Sequence, residues 1–191
     1  MHALSVDDFR QWSLDLQASD DRGFAALYTA TSPALHRYIH SITRDAEATN
    51  DVLQELYVKL WNVRTTIDPD RSLKALLFQM ARNFALNHER AKRRRASDPL
   101  DDHAEPADSA LPADALLDTN QVEDRLRAWI DELPPRRREA FCLSRFEGLS
   151  HDEIAKAMDL APKTVNNHIV LALQTLRTRL AEFDPSFRLD A

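Results

Sequence analysis

Ser150-His-Asp-Glu-Ile-Ala-Lys-Ala-Met-Asp-Leu-Ala-Pro-Lys-Thr-Val-Asn-Asn167 decides the fold class. Ser150 and Glu153 stand at capping-box spacing, so a short helix starts there with Ile154, Ala155 and Met158 on its inner face. Asp159-Leu160-Ala161 leaves room only for a tight turn, and Asp159 is expected to take the left-handed conformation that glycine usually supplies. Pro162 suits the first position of a longer helix, in which Val165, Ile169, Leu173, Leu176 and Leu180 fall on one face. A helix, a three-residue turn and a second helix is helix-turn-helix spacing. The early exposed positions of the second helix are Lys163, Thr164, Asn166, Asn167 and Val170. Asparagine can make two hydrogen bonds to adenine, and Thr or Val methyls can meet a thymine methyl, so this face suits the major groove.

Upstream of this unit, Thr119 or Asn120 can cap a helix, Asn120 with Glu123 having capping-box spacing. Val122, Leu126, Trp129, Ile130 and Leu133 would form its buried stripe. Pro134-Pro135 breaks it, Pro135 or Arg136 opens the next helix, and Gly148 ends that one as a C′ residue. The composition agrees with an all-α chain. Among 191 residues only Gly23 and Gly148 are glycines, too few for a phosphate-cradling loop, a dinucleotide-binding turn or a hairpin-rich β fold. Cys142 is the one cysteine, which excludes an intramolecular disulfide framework and a multi-cysteine zinc site; on a helix between Phe141 and Leu143 it reads as a small buried hydrophobe. No apolar run approaches the ~18–20 residues of a membrane span, and no secretory leader opens the chain. A soluble, cytoplasmic protein is expected.

Charge divides the chain. Residues 82–95 carry six basic residues and one acid, whereas residues 96–118 carry seven acids, three prolines and no Lys or Arg. Setting those seven acids aside turns the formal charge of −6 into +1. An Ala/Asp/Pro-rich stretch of this kind cannot bury a core and reads as a disordered linker. Two small helical domains, residues 1–95 and 119–191, are therefore expected on either side of an acidic linker at 96–118.

In the first domain Ser19, followed by Asp20 and Asp21, resembles a helix cap. Phe24, Leu27, Tyr28, Leu35, Tyr38, Ile39 and Ile42 continue as one or two amphipathic helices around Pro33. Asp45 can start the next helix, with Val52, Leu56, Leu60 and Val63 inside and Leu53, Tyr57 and Trp61 widening the stripe. Its opposite face presents Asp51, Gln54, Glu55, Val58 and Asn62, an apolar residue within an acidic, amide-rich patch, as a protein-docking surface requires. Residues 65–71 form a loop, because Pro69 disfavours helix at Asp68. A last helix follows from about Ser72, with Leu73, Leu76, Leu77, Met80, Ala81 and Phe84 inward before the basic run.

In this order the segments resemble the extracytoplasmic-function (group IV) sigma factors of bacterial RNA polymerase. Asp51-Val-Leu-Gln-Glu-Leu-Tyr-Val-Lys-Leu-Trp61 is similar to the family's polymerase-docking helix. Ala75-Leu-Leu-Phe-Gln-Met-Ala-Arg-Asn-Phe-Ala-Leu-Asn-His-Glu-Arg90 is similar to its −10-reading helix. Leu133-Pro-Pro-Arg-Arg-Arg-Glu-Ala-Phe141, Glu147-Gly-Leu-Ser-His-Asp-Glu-Ile-Ala155 and Lys163-Thr-Val-Asn-Asn-His168 resemble its −35-binding domain. The resemblance implies an alternative sigma factor that binds core polymerase, directs it to promoters and helps melt the −10 element. It implies core contacts from Asp51, Gln54, Glu55, Val58, Lys59 and Asn62. Single-stranded −10 contacts would come from Arg82, Asn83, Asn87, His88, Arg90, Lys92, Arg93 and Arg94. Duplex −35 contacts would come from Arg137, Lys163, Thr164, Asn166, Asn167, His168 and Val170. The loop at 65–71 would hold a flipped base, the acidic linker would run near the RNA exit path, and an anti-sigma factor would restrain the protein. Asn87 stands where the family often has Asp, and Asn166-Asn167 where it often has a basic residue, so the promoter sequence is not carried over.

Two other readings compete. A stand-alone helix-turn-helix regulator would use the first domain to sense a ligand or dimerise. A metalloenzyme would start from His36 and His40 at i, i+4, but no HExxH arrangement accompanies them. No catalytic residue, metal, cofactor, small-molecule substrate or membrane insertion is expected.

Overall fold

The computed structural model describes residues 4–96 and 120–183. Among these residues the secondary structure is helical: α1 (Val6–Gln17), α2 (Asp21–Thr43), α3 (Ala46–Asn62), a 3₁₀ turn (Arg64–Thr66), α4 (Leu73–Ala96), α5 (Asn120–Asp131), α6 (Pro135–Arg145), α7 (His151–Met158) and α8 (Pro162–Phe183). They form two compact units, α1–α4 and α5–α8. The acidic linker expected at 96–118 lies outside the described residues except for Ala96, and so does Thr119.

In the first unit α2, α3 and α4 pack on one another, and α1 lies against α2 and α4. Leu27, Leu35, Ile39, Val52, Leu56, Leu60, Leu73 and Leu77 fill the centre. The buried threonine hydroxyls there are paired: Thr31 Oγ1 lies 2.7 Å from the Tyr57 hydroxyl and Thr43 Oγ1 2.8 Å from Thr49 Oγ1. Burial pushes the Tyr57 hydroxyl up to about 12. α2 runs unbroken through Pro33, although that residue has no N–H to give the Thr29 carbonyl.

The structure departs from the sequence reading at several points. Residues 6–17, for which the sequence reading named no element, form α1, started by a capping box between Ser5 and Asp8 and burying Phe9, Ser13 and Leu16. Ser19 is not the cap of α2. It sits at φ 56°, and Asp20 accepts from the Arg22 N–H at 2.9 Å in its place. Gly23 is buried where α1 meets α2; a Cβ there would stand 2.3 Å from the Asp15 Cβ, so only a bare backbone fits. On α4, Leu76, Met80 and Phe84 are half-buried, whereas Ala75, Phe78 and Ala85 are buried with Leu73, Leu77 and Ala81.

Asp45 caps α3 as expected. Its Oδ1 accepts from the Glu47 and Ala48 N–H groups at 3.1 Å each, and its Oδ2 pairs with Lys92 Nζ at 3.2 Å. The Ala48 N–H first, then Lys92, hold its carboxyl below the ordinary aspartate value. Asp45→Ala is therefore expected to cost roughly 0.5–2 kcal/mol in urea denaturation at neutral pH. Because the folded state favours the charged form, this contribution is complete above the unfolded aspartate value near 3.9 and is lost as pH falls through the lower folded value. Parent and variant should converge in acid, and a gap that persisted there would show that the carboxylate charge is not its source.

The second unit packs α5, α6 and α7 onto α8. Ile130, Leu133, Phe141, Ala172 and Leu176 form one cluster, flanked by Trp129, Cys142 and Leu173. Leu126 does not join the stripe: it is 38% exposed. Pro135 is the first residue of α6, the helix closes at Phe146, and Gly148 turns the chain two residues later at φ 63°. Ser150 and Glu153 make the expected capping box, and Asp159 takes the left-handed conformation at φ 54°, ψ 56°. Burial pushes the Cys142 thiol up to about 11, which leaves it a poor nucleophile.

Candidate polymerase and promoter surfaces

Three surfaces carry the residues singled out in the sequence. On α3, Asp51, Gln54, Glu55, Val58, Lys59 and Asn62 are all exposed, because the helical period turns them away from the buried Val52–Leu56–Leu60 stripe. Val58 is 54% exposed. This face borders an open groove of about 700 Å³ between α2 and α3, lined by Phe24, Tyr28, Leu53, Tyr57, Val58 and Trp61 among others. Ring centroids lie 5.0 Å apart for Phe24–Trp61 and 4.7 Å for Tyr28–Tyr57. The sequence reading put Phe24 and Tyr28 on one amphipathic helix and Tyr57 and Trp61 in the widened stripe of the next. Their i, i+4 spacing on two neighbouring helices is the signal that they form a shared aromatic wall.

On α4, Asn83, Asn87, Arg90, Lys92, Arg93 and Arg94 are exposed, while Arg82 and His88 are half-buried. Arg90 Nη1 donates to Asn87 Oδ1 at 3.2 Å, and Arg94 Nε to the Arg90 carbonyl at 3.4 Å. Lys92 is engaged by Asp45. His88 Nδ1 and Glu89 Oε1 are buried without a hydrogen-bond partner. In the loop before α4, Asp68 Oδ1 accepts from the Asp70 N–H at 3.0 Å and the Asp68 carboxylate faces Arg71 Nε at 3.4 Å.

On α8, Lys163, Asn166, Asn167 and Val170 are exposed and share the first two turns; Thr164 and His168 are half-buried beside them, as is Arg137 on α6. α7 packs on α8, and the burial of Ile154, Met158, Val165 and Ile169 leaves that face outward.

His36 and His40 stack with centroids 6.4 Å apart, and His40 Nδ1 faces Thr49 Oγ1 at 3.3 Å. No third His, Cys, Asp or Glu joins them among the described residues. No helix among those residues is long and apolar enough to cross a membrane.

The sigma-70 region 2 model matches residues 27–95 and the sigma-70 region 4 model residues 123–176. Over 183 residues the chain is 31% identical to the RNA polymerase sigma-H factor of Pseudomonas aeruginosa, covering 91% of this chain and 94% of that protein. Over 160 residues it is 30% identical to the extracytoplasmic-function sigma factor SigL of Mycobacterium tuberculosis, covering 82% and 88%. The chain belongs to the extracytoplasmic-function sigma factors. The fold agrees. The sigma factor RpoE, solved with the anti-sigma factor NepR from Bartonella quintana, superposes with a TM-score of 0.66 at 23% identity, over 82% of this chain and 96% of that one. CnrH, solved with the cytosolic domain of CnrY, gives a TM-score of 0.64 at 22% identity over 93% and 99%. An alternative sigma factor works with core RNA polymerase at promoters. In this sigma factor the region 2 match occupies the part of the chain that a stand-alone regulator would need for sensing or dimerisation.

Proposed function

We propose that the sigma factor divides its work between residues 1–95, which dock on core polymerase and open the −10 element, and residues 119–191, which read the −35 element, with 96–118 as the acidic connection. The observation that carries this reading is the α3 face: an exposed valine among Asp51, Gln54, Glu55 and Asn62, continuous with the aromatic groove. Exposed apolar area ringed by carboxylates and amides suits a partner surface that is apolar at its centre and basic at its rim. Lys59 at its edge adds a cation for the partner's acids.

On α4, Arg82, Arg90, Lys92, Arg93 and Arg94 attract phosphate, while Asn83, Asn87 and His88 are of the type that bonds unpaired bases. The loop at 65–71 receives a flipped base, whose extraction costs a few kcal/mol that binding to polymerase helps to supply. On α8, Asn166 and Asn167 read base edges with Thr164, His168 and Val170 beside them, and Lys163 and Arg137 hold phosphates. The protein has no catalytic step of its own, acts in the cytoplasm, and is restrained by an anti-sigma factor, as the partners of the two solved neighbours suggest.

Run-off transcription with purified core polymerase on a pool of genomic promoters tests the whole reading: defined transcripts should appear only when the sigma factor is added. Glu55→Lys, an exposed charge reversal, is expected to weaken capture of core polymerase by roughly 1–3 kcal/mol with an unchanged melting midpoint. Full capture by the folded variant would remove α3 from the interface.

A further inference from the structure

We propose that α1 and its turn into α2 are a brace that holds the loop before α4 in register, with Gln17 and Ser19 as positioning residues for −10 recognition. This rests on the assignment of that loop to base capture made above. Two links from α1 reach the loop itself, and a third, from the turn after α1, reaches Arg64 at its base, each spanning a long stretch of sequence. Gln17 Nε2 donates to the Ile67 carbonyl at 2.7 Å, Arg64 Nε donates to Ser19 Oγ at 2.8 Å, and Arg10 Nη2 faces Asp70 Oδ1 at 3.6 Å. Behind them the Ile67 side chain is 5% exposed, so the loop is pinned through its backbone and through one buried side chain. Arg64 is fixed twice more, over the Trp61 ring at 4.4 Å and by donating from Nη1 to the Trp61 carbonyl at 2.8 Å. Thr65, Thr66, Asp68 and Arg71 make no link to α1 and are left exposed. A loop anchored in this way and displaying polar side chains is preorganised for a ligand, whereas a free loop must be ordered at the moment of binding.

Ser19 is the telling residue. It sits at φ 56°, a conformation that disfavours a residue with a Cβ and suits glycine. The conformation closes α1, with the Asp20 N–H on the Asp15 carbonyl at 2.9 Å, a helix end at which glycine is favoured, and the same turn sets the Ser19 hydroxyl against Arg64. Ser19→Gly thus relieves strain and removes the link at once, so stability and positioning should move in opposite directions.

The experiment uses the full chain assembled with core polymerase and a promoter obtained by run-off selection. Its probes are single-stranded non-template −10 oligonucleotides carrying each of the four bases at each position. Gln17→Ala and Ser19→Gly should each reduce the affinity ratio between the preferred and the worst base about three- to tenfold, the worth of one hydrogen bond. Capture of core polymerase should be unchanged, and Ser19→Gly should melt at or above the parent temperature. Asp68→Ala with Arg71→Ala serves as the loop control. If the control loses discrimination while Gln17→Ala and Ser19→Gly keep it, the loop works without a brace and the inference fails alone. If the control also keeps it, the base-capture role of the loop is wrong and the inference falls with it. Losses that merely track reduced melting or reduced core capture would reduce α1 to a structural element and overturn the proposal.

Discussion

Leu56→Ala should destabilise the first unit by roughly 2–5 kcal/mol, the cost of removing a fully enclosed leucine and leaving part of its volume empty. Leu56 is fully buried on α3, and α3 packs on both α2 and α4. Val58, two residues on, gives the internal comparison. It is more than half exposed, so Val58→Ala should stay within about 0.5 kcal/mol of the parent while weakening capture of core polymerase. Urea denaturation of both variants beside a pull-down separates the two faces of one helix. Equal destabilisation by the two would mean that Val58 is packed and unavailable to a partner.

The double variant Asn166→Ala with Asn167→Ala is expected to erase about 2–6 kcal/mol of discrimination at two adjacent −35 positions, each asparagine being worth roughly 1–3 kcal/mol if the two act independently. Binding to unrelated duplexes should change little, because neither side chain carries charge. Competition binding with duplexes substituted base by base across the −35 element measures this. A loss uniform over all sequences would assign the asparagines to backbone positioning.

The second unit was the more legible in sequence because its boundaries are set by local chemistry. Ser150 and Glu153, Asp159 and Pro162 each act within a few residues, and the structure uses each as expected. The α3 face was legible for a related reason: a 3.6-residue period with a strong Val52–Leu56–Leu60 stripe fixes which side chains are left out. α1 escaped notice because its buried face is thin, Phe9 and Leu16 with a serine between them, and Ser13 becomes a core residue only by donating its hydroxyl to the Phe9 carbonyl at 3.0 Å. Ser19 was misassigned since Asp20 can cap equally well, and the choice is made by the α1–α2 turn. The inner face of α4 was only partly right: the reading took Ala81 but passed over Ala75 and Ala85, small residues that a close helix contact buries, and it chose Met80 and Phe84 over Phe78. Leu126 on α5 was placed in the stripe by periodicity alone. The aromatic groove and the brace on the 65–71 loop both join residues from different helices, and no single-helix pattern contains them.

On the proposed assignment of α4 to the −10 element, the Asp45–Lys92 pair bears on how the basic run would take up phosphate. Arg90 and Arg94 bond to uncharged oxygens, so each phosphate they neutralise frees condensed counterions from the DNA, and the entropy of that release is lost as ionic strength rises. Lys92 can reach a phosphate only by leaving a carboxylate. That exchange trades one anion for another, so the net Coulombic gain of Lys92 at a phosphate is smaller than that of Arg90 or Arg94. The same carboxylate caps α3, which makes the basic run and the docking helix share one anion: a phosphate that draws Lys92 away leaves the α3 cap to be held by its backbone N–H groups alone.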